Sequence, residues 1–185
     1  MARAKPISKS APAKPVRLTR DFFDAPTVTV AKNLLGKLLS FNGHFGLIME
    51  TEAYVGENDP ACHAARGITK RNAVMYGPPG HTYVYLIYGM YHCLNFVTEA
   101  KGKPAAVLIR GLYMPKTDLW LDGPGKLCRH LGITRDHTAM DLCGDDPSAM
   151  RLIDTGLRPK FDKTPRIGIR QGADKLWRFV VNSKI

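Results

Sequence analysis

The chain has 185 residues, 44% of them hydrophobic, which suits one globular domain with a sizeable core. Its 27 Lys and Arg against 16 Asp and Glu leave a net charge of +11, which calls for a polyanionic partner: nucleic acid or an acidic membrane surface. Cys62, Cys93, Cys128 and Cys143 form no C-x-x-C pair, so a zinc ribbon or thioredoxin-like site has no support and no metal is expected. Free thiols in a reducing compartment are expected instead. With neither an apolar leader nor an apolar run long enough to span a bilayer, the expectation is no membrane and a cytoplasmic, nucleoid-associated location, or an organellar or nuclear one in a eukaryote.

In chain order, residues 1–17 carry Arg3, Lys5, Lys9, Lys14 and Arg17 without an acid, among Pro6, Pro12 and Pro15. Such a segment buries too little apolar surface to offset its ordering entropy, so a disordered basic tail is expected, with the folded domain over 18–185. It suits a transit peptide, a DNA-tethering arm or a solubilising extension. Val28, Ala31, Leu34 and Leu35 recur at helical spacing, predicting a helix from Thr27 to Leu35 that is capped by Thr27 or Thr29 and stopped at Gly36. Lys37–Phe41 and His44–Tyr54 read as strands joined by an Asn42-Gly43 turn. A Gly/Pro-bearing loop follows from Arg66 to Gly80. Thr82–Ile87 and Met90–Thr98 then form a second hairpin, turning at Tyr88-Gly89, and Ala105–Gly111 is a further strand. Gly123-Pro124-Gly125-Lys126 opens a short helix that Gly132 closes. Residues 134–165 read as irregular, and Arg166–Ile169 and Trp177–Val181 as closing strands.

Two stretches carry chemistry. Tyr83, Tyr85, Tyr88 and Tyr91 fall within nine residues of a strongly basic chain. Aromatics beside positive charge suit a surface that stacks on nucleobases, whereas four buried phenols would each need a hydrogen-bond partner. In the strand from Gly46 to Tyr54, alternation places Ile48, Glu50, Glu52 and Tyr54 on one face and Leu47, Met49, Thr51 and Ala53 on the other. Neighbouring carboxylates on one strand rarely flank a sugar O-glycoside from both sides, so one acting carboxylate is expected, with Glu50 in a structural ion pair.

Glu50-Thr51-Glu52-Ala53-Tyr54, His63, Arg71-Asn72, the run Tyr83-Val84-Tyr85-Leu86-Ile87-Tyr88-Gly89-Met90-Tyr91 with Asn95, Arg110, and Gly123-Pro124-Gly125-Lys126-Leu127-Cys128 occur in that order. Together they resemble the alkyladenine (3-methyladenine) DNA glycosylase family of base-excision repair, with few gaps from about Leu18 to Val181. The resemblance implies a single α+β domain around a curved, largely antiparallel, open-barrel-like sheet, with a protruding hairpin and short peripheral helices. It implies a monomeric, monofunctional enzyme that needs no cofactor. Its partner is double-stranded DNA containing damaged purines.

By the same resemblance Glu52 is the base that deprotonates and aims the attacking water, and Arg110 and the backbone carbonyl of Ile167 help to hold that water. The chemistry needs such a carboxylate, because positive charge grows on the deoxyribose as the N-glycosidic bond breaks. Tyr54 stacks on one face of the extruded base, His63 and Tyr85 on the other, and Asn95 collides with the amino group of guanine. Tyr88, assisted by Met90, fills the gap left by the flipped nucleotide. Arg71 touches DNA, and Gly125 and Lys126 grip a phosphate at a helix N-terminus. The connections at 111–122 and 171–176 are shorter than in eukaryotic-type members, which leaves lesion range open. Two rival readings stand beside this one: a non-catalytic nucleic-acid-binding module of related fold, and a basic protein that coats DNA.

Overall fold

The computed structural model describes residues 14–182. Its organising element is one long strand, β3 (His44–Val55). Asn42 and Gly43 take φ of 48° and 75°, the tight-turn geometry whose twist matches its strands, so β2 (Leu38–Phe41) folds back on the start of β3. β2 is short, and further along the same edge β10 (Arg178–Val180) pairs with Glu50, Thr51 and Glu52. β6 (Ala105–Met114) runs along the other edge. Beyond it come β5 (Tyr91–Val97) and β4 (Thr82–Ile87), the second hairpin, in which Tyr88 and Gly89 repeat the positive-φ turn at 53° and 69°.

The described residues form a ten-stranded sheet in which every pairing is antiparallel, and its end strands, β1 (Val16–Arg17) and β4, do not meet. The sheet is therefore open, and the fold is α+β as expected. After the single-turn α1 (Arg20–Phe23), α2 (Thr27–Asn33) covers one face, tied to β3 where the Thr51 hydroxyl donates to the Ala31 carbonyl at 2.9 Å. Val30, Ala31 and Leu34 pack there against Met49, Ala53 and Leu94 in the main core. A smaller apolar cluster of Cys62, Met75, Tyr83 and Val97 lies under the tyrosine hairpin. All four cysteines are free thiols.

Several expectations need correction. The helix from Thr27 ends at Asn33, and the Glu99 carboxylate accepts from the Thr27 N–H at 3.2 Å, where a threonine hydroxyl was expected to cap. Ile48 does not share a face with Glu50: both Ile48 and Met49 lie in the main core, because the β3–β6 register slips between Ile48 and Thr51. Val16 and Arg17, assigned by composition to the tail, pair with β8 (Arg151–Asp154), so the sheet begins before Leu18. Residues 1–13 lie outside the described part. The stretch 134–165 contains β8 and β9 (Asp162–Thr164), and β6 continues to Met114 and turns into β7 (Leu119–Asp122). Arg166–Ile169 is no strand but a loop.

Candidate active site

The slip in register builds the site. Ile48, Glu50 and Thr51 of β3 face Leu112, Gly111 and Ile109 of β6, so Met49 on one strand and Arg110 on the other are extra residues without a partner. A bulged residue is free to re-aim its side chain, and Arg110 points its Nε between two carboxylates, 3.1 Å from Glu50 Oε1 and 3.5 Å from Glu52 Oε1. Glu50 is held again from β10 by Arg178 Nε at 2.6 Å, the ion-paired role expected of it.

Glu52 is fully buried, and both of its oxygens are engaged. Oε2 accepts from the Tyr54 hydroxyl at 2.7 Å, and Oε1 accepts from the Ile167 N–H at 2.8 Å. Burial pushes its carboxyl above the usual range, while Arg110, the Ile167 N–H and the Tyr54 hydroxyl pull it back and Glu50 adds to the rise. A carboxylate so placed is a stronger base than an exposed one. Ile167 serves Glu52 with its backbone donor, and the expectation for that residue rested on its carbonyl.

Tyr54, Arg110 and Ile167, whose polar groups reach the Glu52 carboxylate, line a cavity of about 490 Å³. His63, Tyr85, Asn95, Tyr88, Gly125 and Lys126 line it too, so nine of the twelve residues singled out for a site converge on one space, and Glu52, Arg71 and Met90 do not line it. Glu52 stands behind its wall. His63 and Tyr85 rings meet edge to face at 4.5 Å between centroids, and His63 Nδ1 is hydrogen-bonded to the Tyr83 hydroxyl at 2.8 Å. Burial, helped by the charge of Arg71, lowers His63 to about 4, so its ring is neutral at neutral pH. A neutral ring adds no positive charge to the cavity. The Asn95 amide nitrogen donates to the carbonyls of Tyr83 and Cys93 at 3.0 and 3.2 Å, which fixes the side chain against the cavity.

Tyr88 is 79% exposed and Met90 63%, large apolar surfaces at the tip of the β4–β5 hairpin. Arg71 is exposed outside the cavity, on a loop pinned by the buried amide of Asn72, which donates to the carbonyls of His63 and Gly67 at 2.9 and 3.0 Å. Gly125 and Lys126 open α3 (Pro124–Leu131). A Cβ at Gly125 would fall 2.8 Å from Tyr91 Cδ1, so glycine lets the helix abut the hairpin. Lys126 Nζ donates to Asp122 Oδ1 at 2.6 Å, so phosphate would compete with a surface acid there. Sequence reasoning missed two charged pairs around the site, Arg178 on Glu50 and Arg166 on Asp59. Their members lie far apart in the chain and no local spacing signals them.

Among the described residues no group of three or more His, Cys, Asp or Glu is placed to hold a metal, and no helix is long and apolar enough to cross a membrane. The family model for "Methylpurine-DNA glycosylase (MPG)" matches residues 21–185. A protein of Rickettsia peacockii is 55% identical over 169 residues, 91% of each chain. One of Sodalis glossinidius is 57% identical over 164 residues, covering 88% of this chain and 95% of its own. One of Wolbachia pipientis is 54% identical over 163 residues, 88% of each. All three carry the name "Putative 3-methyladenine DNA glycosylase". With a family match over residues 21–185 and relatives aligned over about nine-tenths of its length, this chain belongs to the methylpurine-DNA glycosylase family.

Proposed function

We propose that the protein is a monomeric, monofunctional DNA glycosylase that flips alkylated or deaminated purines out of duplex DNA into the aromatic cavity and hydrolyses the N-glycosidic bond, leaving an abasic site. The observation that carries this reading is the buried Glu52 carboxylate at the cavity wall, held by Tyr54 and Ile167 beside Arg110. Burying a charge is costly, and a protein that only bound or coated DNA would gain nothing from it.

In the reaction, Glu52 takes a proton from water as the water oxygen bonds to C1′, and the C1′–N bond breaks with its electron pair leaving on the purine. The carboxylate also opposes the positive charge that grows on the sugar. A cationic lesion such as 3-methyladenine leaves as a neutral base, while hypoxanthine needs a proton. Tyr54, Tyr85 and His63 supply stacking for the extruded base, and Tyr88 supplies the wedge that offsets lost stacking in the duplex. Asn95 supplies the selection against guanine.

The test is incubation with duplexes bearing 3-methyladenine, hypoxanthine or ethenoadenine, followed by alkali. Abasic sites that break only on alkali treatment are expected. Strand cleavage without alkali would overturn the monofunctional assignment, and DNA binding without base release would favour the non-catalytic module.

A further inference from the structure

Arg166 immediately precedes the residue whose N–H holds Glu52, and its side chain is completely buried with Asp59, which is equally buried. Nη1 donates to Asp59 Oδ2 at 2.5 Å and Nη2 to Asp59 Oδ1 at 2.8 Å, a two-pronged pairing. Nη1 also donates to the carbonyl of Ala53, the residue between Glu52 and Tyr54, at 2.9 Å. The guanidinium lies 4.7 Å from the Tyr54 ring centroid and 5.2 Å from that of Trp177. Asp59 is fixed in turn by the N–H groups of Val55 and Ala61 at 3.1 and 3.3 Å. One cation thus braces β3, the turn after it and the 165–172 loop, which has no strand or helix of its own.

We infer that Asp59 and Arg166 are positioning residues for base excision: their buried ion pair clamps the loop so that the Ile167 N–H stays on Glu52, and backs the Tyr54 ring on which the extruded base stacks. The loop needs such a clamp. Ile167, Gly168 and Arg170 are exposed, and Gly168 takes a φ of 75°, so apolar burial does little to hold the backbone where Glu52 requires it. A guanidinium with five donors in a fixed fork can serve Asp59 and Ala53 at once while lying near two aromatic rings, which a lysine cannot do.

The inference rests on Glu52 as the base and makes a separate prediction about pH. The charged and titratable groups facing Glu52 are Glu50 and Tyr54 on its own strand, Cys93 on β5, Arg110 on β6, Arg166 on the loop and, through Glu50, Arg178 on β10. Arg166→Met loses the Arg166 charge and releases the Ile167 donor, which both favour the ionised carboxylate, whereas Asp59→Asn releases the donor but keeps the cation. The acid limb of the rate profile must then move to higher pH.

Single-turnover excision of ethenoadenine from duplex DNA should be followed from acid to alkaline pH in wild type, Asp59→Asn, Arg166→Lys and Arg166→Met, with melting temperatures alongside. Arg166→Met should raise the midpoint of the acid limb by roughly one pH unit, Asp59→Asn by less because its Arg166 cation stays, and both should recover to within a few-fold of wild type at the alkaline plateau. Arg166→Lys keeps the charge and should restore part of that midpoint. It should still weaken the fluorescence change of bound ethenoadenine, which reports Tyr54. A loss equal at every pH, or an unmoved acid limb in folded Arg166→Met, would overturn the inference. If Arg166→Met fails to fold, Arg166→Gln decides by the same criterion. Should Glu52→Gln prove active, the base assignment itself fails; an inactive Glu52→Gln beside unshifted clamp variants sinks only the clamp.

Discussion

Replacing Glu52 by Gln is the substitution that separates chemistry from architecture most cleanly. The side chain is fully buried between two donors, the Ile167 N–H at 2.8 Å and the Tyr54 hydroxyl at 2.7 Å. Glutamine keeps the shape. Its carbonyl oxygen can still accept from Ile167, and its amide can donate to Tyr54, whose hydroxyl turns from donor to acceptor. Two charge-assisted bonds, each worth about 1.5–3 kcal/mol, become neutral ones worth about 0.5–1.5 kcal/mol. Against that loss, the cost of burying a negative charge disappears. The two changes oppose each other, and Arg110 keeps Glu50 as a partner at 3.1 Å, so the melting temperature should move by only a few degrees. Excision should not be spared. An amide cannot take the proton of water, and losing a positioned general base lowers the rate by about 10²- to 10⁴-fold. That corresponds to about 2.7–5.4 kcal/mol of barrier. The assay is single-turnover release from a hypoxanthine duplex at saturating enzyme, with duplex affinity measured in parallel. Wild-type-like excision, or a fall in rate that merely tracks a fall in melting temperature, would refute the reasoning.

Three further outcomes follow from the geometry. Asn95→Ala removes the donor to the Tyr83 and Cys93 carbonyls and opens the cavity wall; release of guanine and 7-alkylguanine should rise against hypoxanthine, at a stability cost of about 1–3 kcal/mol, checked by base chromatography and calorimetry. His63 titrates at about 4 in the folded protein, below an unfolded histidine at ~6.5, so the unfolded chain takes up that proton first and stability is lost as pH falls through this window. Melting temperatures of His63→Gln should accordingly depend less on pH between those values than wild type. Tyr88→Asn suits the positive φ of 53° at the hairpin tip, so the fold should survive while excision drops for a lesion in a stable duplex and much less for one opposite a mismatch; equal loss in both contexts would remove Tyr88 from the wedge role.

The parts of the fold legible in the sequence are those fixed locally. Asn42-Gly43 and Tyr88-Gly89 set both hairpins, since the turn residues and the flanking alternation agree. Gly132, at φ 68°, ends α3 where expected. The strands that went unread, β1, β7, β8 and β9, have two to four residues, and all but β7 are held by partners distant in the chain. The site residues were legible as a set through ordered motifs. Their geometry was not, because it depends on a register slip that no alternation pattern announces, and that slip makes Arg110 an unpaired residue aimed at Glu52.

The misread strand at Arg166–Ile169 shows why. Arg-Ile-Gly-Ile alternates and carries two β-branched residues, which is a fair strand signal. A strand, however, needs its N–H groups for a ladder, and here the N–H of Ile167 goes to the Glu52 carboxylate. The side chain that alternation would send to solvent, Arg166, turns inward to Asp59. The first departure takes a backbone donor that a ladder would have used, and the second takes a side chain out of the alternation. Local pattern therefore fails where a backbone donor is diverted to Glu52 and a cation to Asp59, which is the behaviour expected of a segment shaped by its surroundings more than by its own propensity.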